Sequence, residues 1–149
     1  MTGTLTYSTE TANLGLTPPQ RVSDVAQRGR SKLLRNTITL ASQAYGATGA
    51  IALGSLPNAS RIQSISMDTD TSLGSSTITI TNSATTAGSP TAYTAANTLT
   101  ATQTKTQVAL VAALAAAAVT ADTPLYANIG TANLPASGNL IIDVEYVEW

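Results

Sequence analysis

A chain of 149 residues with a formal net charge of −1 and neither cysteine nor histidine forgoes disulfides, thiolate catalysis, Cys-ligated metals, His-dependent triads and the commonest metal ligand together. Its length fits one domain that buries roughly 68–70% of its unfolded surface, so a core without cross-links is feasible. Charged residues are 10% of the chain, well below the usual quarter, and Thr, Ser and Ala fill the difference. That surface suits either packing against copies of itself or a large partner, or simply a low-charge β-rich domain.

Residues 1–33 carry few large apolar side chains, a Pro18-Pro19 pair and no sustained period, and read as an extended N-terminal arm. Within it, Leu5 and Tyr7 between Thr4, Thr6 and Ser8 suit a short edge strand, and Ser23 could cap a helical turn over residues 23–30. The charge is uneven. Arg21, Arg28, Arg30, Lys32 and Arg35 face Asp24 alone between positions 21 and 35, while Asp122, Asp143, Glu145 and Glu148 close the chain with no basic residue after position 120.

The remainder, residues 34–149, is patterned for strands. Leu34, Asn36, Ile38 and Leu40 alternate with Arg35, Thr37 and Thr39, the period of a half-buried strand. Ile51 and Leu53 predict a short strand ending at Gly54. In residues 61–68, Ile62 lies on one parity and Ile65 and Met67 on the other, which predicts a bulge near Gln63 and Ser64. Ile78 and Ile80 alternate with Thr77, Thr79 and Thr81, and threonine suits a solvated β face. Two weak strands are expected over 91–104.

Residues 106–119 break the pattern. Val108, Val111, Ala112, Ala115 and Val119 fall on one helical stripe, and alanine has the highest helix propensity. The expectation is at most one short Ala-rich helix, although residues 107–111 also read as a strand. The clearest signal comes last. Leu140, Ile142, Val144 and Tyr146 alternate with Asp143 and Glu145, and Leu125, Ala127 and Ile129 do so upstream. With the turn-rich 130–138 between them, the two runs predict an antiparallel hairpin at the centre of a sheet. Six to eight short strands make an all-β antiparallel sandwich, with jelly-roll or Greek-key connections.

Candidate chemistry is sparse. Asp68 and Asp70 sit two apart, so both carboxylates point one way in an extended segment. That suits a hard cation such as Ca²⁺, but Asp-x-Asp in a turn more commonly caps its own backbone, and no metal or other cofactor is expected. No Gly-rich phosphate loop is present, Lys32 and Lys105 lack a nucleophile motif, and the chain reads as a non-enzyme. Five Tyr and one Trp are the aromatics, and none lies among the arm's arginines, so specific nucleic-acid binding is not expected. There is no apolar stretch long enough for a membrane span and no signal peptide. Synthesis in the cytoplasm is the expectation. Trp149 suits a docking anchor or a plug over its own sandwich. The candidate partner-binding residues are therefore Arg21, Arg28, Arg30, Arg35 and Trp149, the arginines set against carboxylates such as those of the terminal strand.

Two blocks carry a family resemblance. Residues 51–80, IALGSLPNASRIQSISMDTDTSLGSSTITI, resemble the central strands of small structural proteins of tailed-bacteriophage virions. DTPLY from Asp122, through ASGNLIIDVEY ending at Tyr146, is similar to their closing hairpin. The resemblance implies a capsid decoration, or cement, protein with a β-sandwich or β-barrel fold, commonly a homotrimer, bound to the major capsid protein on the virion's outer surface. A tail or head-to-tail joining component and a receptor-binding fibre domain are the rivals, the last disfavoured by the scarcity of aromatics.

Overall fold

The computed structural model describes residues 31–42, 44–84, 90–112 and 117–148. Residues 1–30, with Arg21, Arg28 and Arg30 and the strand and turn expected there, lie outside the described residues, as do residues 113–116 and Trp149. Among the described residues seven strands run in chain order: β1 (Ser31–Thr39), β2 (Ala50–Leu56), β3 (Ser60–Thr69), β4 (Thr77–Thr81), β5 (Thr106–Val108), β6 (Thr123–Gly130) and β7 (Asn139–Glu148), with a 3₁₀ turn at Leu40–Ser42. They form two antiparallel sheets ordered β1-β7-β3-β5 and β2-β6-β4. The antiparallel sandwich expected from the alternation is the fold observed.

The alternating apolar residues become the interior. Ile65, Met67, Leu140, Ile142 and Val144 from one sheet meet Leu125, Ile129, Ile78 and Ile80 from the other, each 2% exposed or less. β7 is the spine of its sheet, paired with β1 from Ser31↔Val147 to Thr39↔Asn139 and with β3 on its other side. The β3–β7 register shifts between Ile62 and Ser64, where the parity change placed a bulge. Among the described residues no helix is long and apolar enough to cross a membrane.

Four expectations are corrected. β6 and β7 are not a hairpin: β6 pairs with β2 and β4, β7 with β1 and β3. The connection between them crosses from one sheet to the other, and each strand is central in its own. β2 does not end at Gly54, because that glycine, at φ 123, absorbs a register shift and puts Leu53 and Leu56 both in the core. Thr106–Val108 is a strand rather than the start of a helix, paired with β3 through Ile65↔Val108. Finally, 91–104 holds isolated bridges at Ala92, Thr94 and Asn97 in place of two strands.

Those bridges close one side of the sandwich. Tyr93 N–H donates to Ile80 O at 2.7 Å, Asn97 N–H to Ile78 O at 2.9 Å, and Val111 N–H to Tyr93 O at 2.8 Å. The segment thus stitches β4 of one sheet to the chain just beyond β5 of the other. On the opposite side β1 lies over β2, where Leu34 packs on Gly54, and both are edge strands among the described residues. Among the described residues one flank is closed by backbone hydrogen bonds and the other is open.

Candidate partner-binding face

The outer face of the β1-β7-β3-β5 sheet carries most of the chain's described charge. Cross-strand register sets Arg35 beside Asp143, Asp143 beside Ser66, and Ser66 beside Gln107. The Arg35 guanidinium grips Asp143 with both prongs, Nε to Oδ1 at 2.7 Å and Nη2 to Oδ2 at 2.8 Å, and Lys105 Nζ donates to Oδ2 at 2.9 Å from the far side. Two cations therefore sandwich one carboxylate. The Asp143 side chain is 6% exposed while Arg35 and Lys105 remain 58% and 59% exposed, so the cations roof the acid and keep their outer edges in water. Hydrogen bonding from Arg35, aided by Lys105 and opposed by burial, pulls the Asp143 pKa from its ordinary 3.8 to about 2.

Neighbouring rows repeat this on a smaller scale. Ser31 donates to Glu145, and Ser64 Oγ donates to the same carboxylate at 3.0 Å, lowering its pKa, with the Ser31 bond the larger cause. On the opposite parity, at the end of the inward-facing side of β1, Lys32 Nζ meets Glu148 at 2.6 Å. The expected match between the basic segment and the acidic terminal strand is realised for Lys32 and Arg35, within the chain. The more exposed Lys32–Glu148 pair contributes little energy and mainly fixes register, whereas Asp143 is buried beneath its two cations.

Asp68 and Asp70 line an open cleft of about 330 Å³ with Thr37, Gln103 and Asn139. Asp70 behaves as a cap: Asn139 N–H donates to Oδ1 at 2.6 Å and Asn139 Nδ2 to Oδ2 at 2.8 Å, and these bonds, the backbone one foremost, lower its pKa. No group of three or more Asp or Glu residues able to hold a metal ion occurs among the described residues.

Of the five candidate site residues, Arg35 alone falls within the described residues, and there it is anchored by Asp143. Lys105 was missed, and no local signal marks it: it reaches Asp143 only because β5 joins the sheet.

The architecture has counterparts among solved structures. The chain shares its fold with a chain of a phage capsid. That structure, the capsid of Ralstonia phage GP4, aligns with a TM-score of 0.60 at 20% identity, covering 82% of this chain and 86% of that one. The acid-stable capsid structure of Helicobacter pylori bacteriophage KHP30 aligns at 0.52 and 14% identity, covering 78% and 86%. No protein-family model matches the sequence, and no curated protein matches it.

Proposed function

We propose that this chain is a non-enzymatic structural protein of a phage virion that binds the assembled capsid and stabilises it, in the manner of a decoration protein. The observation that carries this reading is the shared fold with a chain of the Ralstonia phage GP4 capsid, which spans most of both chains. The chemistry of the described residues agrees with it. The best-defined polar site, Arg35–Asp143–Lys105, is a closed set of ion pairs on a flat sheet face, with its carboxylate occupied on both oxygens. Such a face offers area and register to a large partner rather than a reaction centre. A protein bound only to the assembled shell lowers the free energy of that form by mass action.

In this reading the arm expected over residues 1–33, whose last three residues open β1, uses Arg21, Arg28 and Arg30 to reach the major capsid protein, while the sandwich supplies the body. The test is co-sedimentation of the full chain with preformed shells of its own phage. Wild type is expected to pellet with shells and raise their thermal dissociation temperature, and a variant with Arg21, Arg28 and Arg30 all changed to Glu is expected to stay in the supernatant with its own melting temperature unchanged. Failure of the wild type to bind shells would overturn the virion reading. Equal binding by the triple variant would overturn the role of the arm alone.

A further inference from the structure

The open flank of the sandwich ends in β1, nine residues long and bonded on one side only among the described residues. Its free side can be deduced. Leu40 N–H donates to Gly138 O, one step beyond the Thr39↔Asn139 pair, so the even-numbered residues exchange hydrogen bonds with β7 in an antiparallel ladder. The other side of β7 agrees, since Asp70 N–H donates to Asn139 O, an odd position. Leu33, Arg35 and Thr37 therefore direct their backbone N–H and C=O groups outward, along an edge that templates another strand.

Three features distinguish this edge from a guarded one. The charges that ordinarily deter edge pairing, Lys32 and Arg35, are each held by a carboxylate, Glu148 and Asp143, the latter shared with Lys105. Leu33 is 57% exposed, the most exposed large hydrophobic residue among the described residues. Asn36, on the inward face of β1, has its Nδ2 buried without a hydrogen-bond partner, a loss that costs about 1–3 kcal/mol where it stands.

We propose that β1 pairs antiparallel with β1 of a second copy about a twofold axis through Asn36, joining two four-stranded sheets into one of eight. The outward-facing residues select the register. Centring on Arg35 would set two arginines directly opposite, whereas centring on Asn36 sets Arg35 opposite the partner's Thr37 as a hydrogen-bonded pair and Leu34 opposite the partner's Ile38 on the inner face. Asn36 then meets the partner's Asn36 at a non-hydrogen-bonded position, where opposing side chains approach most closely. Each Nδ2 gains the partner's amide oxygen, and Leu33 is covered by the far end of the partner's strand. Pairing of this kind is isologous and closes at two copies, in contrast to the threefold that the family resemblance implied. It stands or falls separately from the virion role.

The sequence has no cysteine, so single-cysteine variants of the full chain report the register directly. Asn36→Cys is expected to cross-link into a covalent dimer under mild oxidation, because a non-hydrogen-bonded antiparallel pair brings Cβ atoms to roughly 4.5–5.5 Å, close to disulfide reach. Leu34→Cys, facing Ile38 instead of itself, is expected to stay monomeric on a non-reducing gel. Thr37→Pro removes an outward N–H that β7 does not use, and is expected to shift the sedimenting species from dimer to monomer mass with its melting transition retained. A full-length chain that sediments as a monomer at tens of micromolar, as it would if residues 1–30 covered the edge, overturns the proposal. So does a trimer, or cross-linking of Leu34→Cys equal to that of Asn36→Cys. Should Thr37→Pro fail to fold, the cysteine pair alone decides.

Discussion

Asp143 offers the sharpest test of how the outer sheet face is held. Its carboxylate is buried between Arg35 and Lys105, and its pKa in the folded chain lies at about 2 against an ordinary 3.8. A group whose folded pKa is depressed stabilises the fold above its unfolded pKa and loses that contribution as pH falls through the folded value. At 1.36 kcal/mol per pH unit the difference is worth about 2 kcal/mol at neutral pH. Salt reduces it, because both cations are more than half exposed and therefore screened.

Asp143→Asn keeps the shape and removes the charge. It is expected to lower stability at pH 7 by about 2 kcal/mol, which for a domain of this size is a fall in melting temperature of about 4–8 °C. The gap should hold down to about pH 4, close between pH 4 and pH 2, and vanish below pH 2. Chemical denaturation at fixed protein concentration across pH 2–7 measures it. A gap that stays constant over the whole range would mean that the cost is one of packing and amide placement, and the electrostatic account would be wrong. No gap at pH 7 would be equally damaging. Arg35→Gln, which leaves Lys105 in place, should reproduce part of the effect with the same sign of pH dependence.

Two further outcomes follow from the core and from the β6–β7 connection. Gly138 sits at φ +95, and a Cβ there would stand 2.5 Å from Asp70 Oδ1 and 2.8 Å from Thr71 Cβ. Gly138→Ala is expected to destabilise by about 2 kcal/mol or more, seen as a lower urea midpoint, since both the backbone and the Asp70 cap on Asn139 must shift. Ile142 is fully buried on the central strand, and Ile142→Ala is expected to cost about 2–5 kcal/mol with an unchanged denaturant slope. A changed slope would show instead that the substitution altered the compactness of one of the two states.

The strands themselves were legible because burial on one face imposes a period of two. Leu140, Ile142 and Val144 are interior, as their alternation required, and Ile78 and Ile80 behave likewise. Even the bulge was legible, since Ile62 and Ile65 could not both be buried without it. The pairing partners were harder. Alternation dictates which side chains turn inward, but a strand's backbone edges carry no residue-specific label, so β6 and β7 looked like a hairpin. The residues between them span the roughly 10 Å that separates packed sheets, and nothing local distinguishes a loop that turns back in one sheet from one that changes sheet. Alanine propensity over 106–119 suited a helix and residues 107–111 also a strand; Thr106–Val108 is a strand, with Val108, 3% exposed, opposite Ile65, while residues 113–116 lie outside the described residues. Tertiary burial outweighed a preference worth less than about 1 kcal/mol per residue.

The candidate site divides along the same line. A basic segment and an acidic terminal strand were visible as complementary, and Arg35 does meet Asp143. Their closeness depends on β1 lying directly beside β7, and Lys105 joins them only because β5 extends the same sheet two strands away. By itself the sequence determined the class of fold, the inward face of each long strand, and the absence of thiol and imidazole chemistry, since these follow from residue type and local period. Tertiary structure decided which edges are paired, that β1 is an edge strand among the described residues, and which charges meet each other. Those are properties of pairs of residues distant in the chain, brought into register only when the two sheets close on their core.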